Sequence, residues 1–310
     1  MSLYEIPAEV FRALLINVDG KISLASPFAF LLNGEFPTSL EPHTDWLEEN
    51  GCLASDAHEG LPLALVPTLR TALDIVARPI RTITINEVTP KQMRRAVYAS
   101  DGYEVTTAMF DETSCFVSDP VSLEAFHGDL VEAIGSAADS RLEGPPFQIH
   151  PAVLQMLGLA AGPFGPEDKV PSKSKPARFG FPVARSMFEE RLTDQLEDSE
   201  AAGEFVDALL ADEILIMKKT KVDIHPKFAP WFQAISSGDF LEIQRLEFPD
   251  EQVQGALPPV QGLFLGRGEN RCVMWPVEPP SDEVILAKPT PDELSEILGY
   301  LVGYIPDGAA

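Results

Sequence analysis

The tightest grouping of residues able to do chemistry is Asp56-Ala57-His58-Glu59, a histidine set between carboxylates. Such a group could bind a metal weakly or pass a proton. Gly51 and Gly60 bound the stretch, so it reads as a solvated turn. The other histidines, His43, His127, His150 and His225, are scattered. His127 and Asp129 sit two residues apart on a helix that faces a core, so they do not share a helix face. Gly266-Arg267-Gly268 is a fragment of a phosphate loop, yet it joins two strands instead of opening a helix, and it reads as a turn. No HExxH, GxSxG, P-loop or GxGxxG after a strand occurs. Cys52, Cys115 and Cys272 lie far apart with no CxxC, as expected of reduced thiols serving as small core side chains in a cytoplasmic protein. The sequence therefore offers no catalytic residue, no metal ligand and no cofactor site. An enzyme with a site in a cleft between two halves is the alternative reading.

The elements that would position a site are more legible than the site. Pro120, Leu123, Phe126, Leu130, Val131 and Ile134 recur in register as Pro291, Leu294, Ile297, Leu301, Val302 and Ile305. Each set opens with a proline and forms an apolar stripe at helical spacing, which predicts two related helices, Pro120–Ile134 and Pro291–Ile305. The segments before them also correspond. Val66–Val76 should be a helix ended by Arg78-Pro79, and Thr82–Val88 alternates β-branched residues as a strand does. Ala96–Tyr98 and Tyr103–Phe110 flank Asp101-Gly102, a two-residue hairpin signal that asks for positive φ at both positions. Cys115–Ser118 completes that set. In the second half, helix Ala229–Ile235, strand Asp239–Phe248, Gly262–Leu265, Arg271–Val277 and Val284–Ala287 follow the same order. Ahead of each set lies a helix and an extended stretch: Trp46–Asn50 with Cys52–Leu65, and Ala201–Leu210 with Ile214–Ile224.

Fold class follows: α+β, an internal duplication with quasi-two-fold symmetry, its strands paired in one antiparallel-rich central sheet with helices on the outer sides. The division expected is 1–140 as the first half, 141–200 as a Pro/Gly-rich connection with helices, and 201–310 as the second half, all in one cooperative domain. The connection carries the one basic island, Lys169, Lys173, Lys175 and Arg178, with helix candidates Ala152–Leu159 and Met187–Leu196 on either side. Glu197-Asp198-Ser199-Glu200 should be an exposed acidic turn.

A net charge of −25 on 310 residues repels nucleic acid and anionic lipid. Helix, extended stretch, helix and β-pair is also the order of a winged helix, which makes a nucleic-acid regulator a third reading. The candidate recognition segments carry only Thr68, Arg70 and Thr71, or Lys227 and Trp231, too little positive charge to read a duplex. No apolar run approaches the roughly 18–20 residues needed to cross a bilayer, and Met1-Ser-Leu-Tyr-Glu-Ile-Pro7 lacks the marks of a secretory signal. A cytoplasmic protein whose partner is another protein, with no nucleic acid, membrane or cofactor involved, is the expectation.

The stretch Leu73-Asp-Ile-Val-Ala-Arg-Pro-Ile-Arg-Thr-Ile-Thr-Ile85, then Ala96-Val-Tyr-Ala-Ser-Asp-Gly102, the closing helix up to Ile134-Gly135 and its second copy Leu294–Ile305 before Pro306 resemble the EspG family of type VII (ESX) secretion chaperones. The resemblance runs as a pattern over residues 45–306. It implies a central sheet flanked by two helical bundles, and a role in binding secreted PE–PPE pairs by covering the apolar tip of the PPE helices. That family recognises its substrate with the loop after the first strand of the first half. Here the loop would be Thr89–Arg95, which is short, and that departure bears on whether a PE–PPE pair is the substrate. Within it Lys91, Gln92, Met93, Arg94 and Arg95 form the candidate partner-binding segment. Met93 is adaptable, and Arg94 and Arg95 stand out on an acidic surface. The same five residues also read as an ordinary basic surface turn.

Overall fold

Alternation along Thr82–Val88 separates two faces of a sheet: Ile83 and Ile85 on one, Thr82 and Thr84 on the other. In the computed structural model that division organises the whole molecule. The structure describes residues 2–19, 22–23, 26–32, 39–54, 64–89, 91–134, 142–144, 146–161, 181–236, 240–247, 260–266, 272–276 and 283–304.

The first half runs β1 (Leu3–Pro7), α1 (Ala8–Asp19), two short 3₁₀ turns, α2 (Thr44–Glu49), α3 (Pro67–Ala77), β2 (Arg81–Val88), β3 (Met93–Ser100), β4 (Glu104–Phe110), β5 (Ser114–Ser118), β6 (Val121–Ser122) and α4 (Leu123–Ile134). The second runs β7 (Phe147–Ile149), α5 (Pro151–Ala161), β8 (Val183–Ala184), α6 (Arg185–Leu196), α7 (Ser199–Ala211), β9 (Leu215–Lys218), β10 (Lys221–Ile224), α8 (Ala229–Ser236), β11 (Phe240–Glu247), β12 (Val260–Gly266), β13 (Val273–Pro276), β14 (Val284–Ala287) and α9 (Pro291–Val302). Among the described residues, an antiparallel sheet of 11 strands joins them in the order β1-β5-β4-β3-β2-β11-β12-β13-β14-β7, with β6 beside β4. The two halves meet at β2 and β11, paired from Arg81↔Glu247 to Val88↔Phe240. At the centre of that register Ile85 faces Ile243.

The duplication reaches further than the twin helices. Ile6, Val10 and Leu14 of β1 and α1 have buried counterparts in Ile149, Val153 and Leu157 of β7 and α5. Residues 147–161, inside the stretch expected to be a connection, thus pair and pack with the second half's sheet. Gly51 (φ 64°) and Glu213 (φ 57°) each turn the chain out of α2 and α7 in left-handed conformation. Beyond them, Val66 N–H donates to Cys52 O and His225 N–H to Ile214 O, each at 2.9 Å.

Burial follows the faces. One side carries Ile83, Val105, Ile243, Leu263, Leu265 and Val273, covered by α4 and α9 through Leu123, Phe126, Leu130, Leu294, Leu298 and Leu301. The other side carries a bundle at each end. Ala99, Ala108, Cys115 and Val117 sit under α1, α2 and α3, while Cys272 and Leu286 sit under α5 to α8. The fold class, a central antiparallel sheet flanked by helical bundles, is as the sequence implied.

Several local expectations need correction. The twin helices do not both open at proline. Thr290 caps α9 with a capping box, its Oγ1 accepting from Glu293 N–H at 3.2 Å while its own N–H donates to Glu293 Oε2 at 2.7 Å. After Pro120, by contrast, Val121-Ser122 is drawn into pairing with β4, so α4 starts at Leu123, where Ser122 Oγ accepts from Ala125 N–H. Helix α9 stops at Val302 because Gly303 adopts φ 80°. The Asp101-Gly102 turn has positive φ only at Gly102. Asp101 Oδ1 instead accepts from Tyr103 and Glu104 N–H at 2.9 and 2.8 Å, and Asp111 does the same for Thr113 and Ser114. Glu197-to-Glu200 is no simple turn either: Asp198 caps α7 through Glu200 and Ala201 N–H. The basic island, Gly266-Arg267-Gly268 beyond its first residue, and Asp56-Ala57-His58-Glu59 lie outside the described residues.

Two buried arginines fix α9 to the strands. Arg81 donates from Nη1 to Val302 O at 3.1 Å, and Arg245 donates from Nη1 to Tyr300 O at 2.6 Å. Both also hold Glu247, Arg81 at 2.8 Å. Cations at a helix C-terminus complement its dipole. Desolvation pushes the Glu247 carboxyl up, but the two guanidinium hydrogen bonds outweigh it and leave its pKa below the ordinary value. Arg81 lies so close to Gly303 that a Cβ there would stand 2.0 Å from Nη1.

Because the halves share β2–β11, Ile243→Ala should lower stability by about 2–5 kcal/mol in a single transition. Urea unfolding followed at Trp46 and at Trp231, in single-tryptophan variants, should give coincident curves; separate midpoints would contradict one cooperative unit. By the same assay Gly303→Ala should cost about 1–3 kcal/mol. Gly128→Ala, in open space on α4, should stabilise by about 0.5–1 kcal/mol.

Candidate functional site

Of the candidate segment, Lys91 and Gln92 belong to the turn between β2 and β3, and Met93, Arg94 and Arg95 begin β3. All five are exposed, Met93 to 68%. The connection is tighter than the sequence implied. Thr89 N–H donates to Gln92 O at 2.9 Å, and Gln92 N–H donates back to Thr89 Oγ1 at 3.2 Å, so β2 runs to Val88 and only a four-residue turn remains.

Register decides what surrounds Met93. Across the central strands it stands beside Val88, which stands beside Phe240. The Phe240 ring packs on Phe264 with centroids 6.0 Å apart. Val88, Phe240 and Phe264 are half-buried, so an apolar ridge from both halves lines this end of the sheet. The next row runs Arg95, Asn86 and Glu242, polar until it reaches Phe264. Glu242 accepts from Asn86 Nδ2 at 2.8 Å and from Gln244 Nε2 at 2.7 Å. Sequence reasoning missed Val88, Phe240 and Phe264 because they fall in strands far apart in the chain. Their only signal was an apolar residue within a strand.

The three cysteines are buried, and His127, His150 and His225 make structural hydrogen bonds. Cys52, Cys115 and Cys272 are all buried, and desolvation raises each thiol, Cys115 and Cys272 to about 12. A nucleophilic cysteine needs the opposite shift. His127 Nε2 lies 2.9 Å from Ser295 O, locking α4 to α9. His150 and His225 accept through Nδ1 from Ala152 and Lys227 N–H ahead of α5 and α8. Among the described residues no cluster of three metal-ligating side chains occurs, and no helix is long and apolar enough to cross a membrane.

A winged-helix order of elements does occur, though in other residues than the sequence suggested. Helix α5, strand β8, helices α6 and α7 and hairpin β9–β10 follow that order, and their small sheet runs β8-β10-β9. The helix that precedes the hairpin is α7, which exposes Glu200, Glu204 and Asp207. An acidic face there repels phosphate. Trp231, proposed for the other recognition segment, is buried and donates through Nε1 to Glu143 O.

No family model matches the sequence, and no curated protein does. The architecture, however, is similar to a solved structure of the Mycobacterium tuberculosis type VII secretion system chaperone EspG5, in complex with a PE25–PPE41 dimer. The likeness has a TM-score of 0.51 at 11% sequence identity and covers 100% of this chain and 99% of that one, so it speaks for the fold from end to end.

Proposed function

We propose that this chain is a non-enzymatic binding protein of the secretion-chaperone kind, working in the cytosol as one cooperative unit. The observation that carries the reading is the end-to-end likeness in fold to a chaperone that holds a protein dimer. Charge and exposure agree with it. On a chain of net charge −25, Arg95 puts positive charge on the sheet face of the exposed, adaptable Met93, while Arg94 takes the opposite face beside Glu87. The partner best suited to that end of the sheet is a helical protein whose apolar tip meets Met93, Val88, Phe240 and Phe264, and whose acidic flank meets Arg95.

The short β2–β3 turn limits what Lys91–Arg95 can contribute alone. A stable interface buries roughly 800 Å² on each partner, so the contact must extend onto the second half's strands. This distinguishes the proposal from recognition by one projecting loop. It also makes the site dependent on the β2–β11 joint.

Co-expression with the protein products of adjacent genes, followed by pull-down, tests the reading. A helical partner should be recovered by the native chain, and its capture should fall at least tenfold with Arg94→Glu/Arg95→Glu or Met93→Asp, in line with about 1.4 kcal/mol or more lost at an interface centre. Recovery of no partner, or of one that both variants retain, would overturn the assignment of this surface.

A further inference from the structure

A second surface lies at the outer edge of the first half, three strands away from Met93. Strand β1 has a neighbour on one side only among the described residues, namely β5. The hydrogen bonds Ala8 N–H to Thr113 O and Asp119 N–H to Ser2 O, both 2.9 Å, set the phase of that pairing. Even-numbered residues from Ser2 to Ala8 therefore turn their backbone groups toward β5. Leu3 and Glu5 turn both N–H and C=O outward, and Pro7 adds a carbonyl. An open row of donors and acceptors in this spacing is a template for another extended chain.

Hydrogen bonds tie the edge to Asp119 and α3, and it borders a groove. Asp119 accepts from Ser2 N–H at 2.6 Å and from Tyr4 Oη at 3.1 Å, and Tyr4 Oη lies 3.0 Å from Thr68 Oγ1 on α3. These hydrogen bonds, that of Ser2 first, keep the Asp119 carboxyl below its ordinary pKa. Leu3, Glu5, Trp46, Asn50 and Ser114 line a groove of about 450 Å³ between the strand and α2. Leu3 is 57% exposed. Among the described residues, Glu5 is the one charged residue in the lining.

We propose that this groove takes an extended segment of another protein that adds to the sheet beside β1, with a basic side chain set against Glu5. Two observations select that occupant. The outward N–H and C=O groups recur every second residue, which suits a strand and not a helix. The lining charge is negative on a chain of net charge −25, which attracts a basic segment and disfavours a second copy of this chain.

The test uses the full chain and a fluorescein-labelled peptide of seven alternating lysine and valine residues, read by anisotropy. Saturable binding is expected. It should weaken at least tenfold with a glutamate–valine peptide, with a peptide N-methylated at alternate backbone nitrogens, and in Leu3→Pro and Glu5→Lys variants that keep the native unfolding midpoint. Leu3→Pro removes an outward N–H and leaves the β5 pairing intact. Should Leu3→Pro fail to fold, the N-methylated peptide against the native chain decides. The proposal is overturned by an absence of saturable binding or by equal binding of the N-methylated or glutamate peptide. It is equally overturned if the free chain forms a dimer that Leu3→Pro dissolves, since a second copy would then be the occupant.

Discussion

Everything in this molecule depends on the antiparallel joint between β2 and β11. Each half brings its own strands, its own bundle and a closing helix, but each would end at an open strand there. Buried backbone N–H and C=O groups must be paired. The eight-residue register from Arg81↔Glu247 to Val88↔Phe240 pairs them across the two halves. It also brings Ile85 against Ile243 and places α4 and α9 over a common apolar floor. Neither half has that floor by itself.

The joint is not symmetric in chemistry. Gly128 of α4 and Gly299 of α9 stand at matching points of the twin helices. A Cβ at Gly128 would meet open space, whereas at Gly299 it would lie 2.9 Å from Tyr304 O. His127 binds the backbone of α9 at Ser295, while its counterpart position holds Leu298. Arg81, Arg245 and Glu247 gather at the C-terminal end of α9. A duplicated frame with unlike contacts at its centre has two ends that differ. The apolar ridge of Met93, Val88, Phe240 and Phe264 lies at one end of the β2–β11 register, and the arginine cluster lies at the other.

This frame also explains how a winged-helix order of elements comes to carry an acidic exposed face. The order arises from how α5, α6 and α7 pack on a small three-stranded sheet, and packing specifies only the buried faces. The exposed face of α7 is free to differ, and it is acidic. Fold and function separate at that face.

Helix, strand and turn order and the duplication were legible in the sequence, because each rests on local spacing: the stripe Leu123, Phe126 and Leu130, the alternation Thr82 to Val88, the glycines after strands. The candidate segment Lys91–Arg95 was visible as composition, yet its setting was not. Whether Met93 stands on a loop or on a strand depends on how far β2 and β3 pair, and the Thr89–Gln92 hydrogen bonds settle that in three dimensions. The start of α4 at Leu123 was likewise decided by a tertiary contact, the pairing of Val121-Ser122 with β4, which overrode the proline signal that α9 obeys. The partnership of Val88 with Phe240, and of Arg81 and Arg245 with Glu247, belonged wholly to the tertiary structure. Strand register is a long-range property: apolar periodicity says which face a residue takes, and only the packed halves say what it faces.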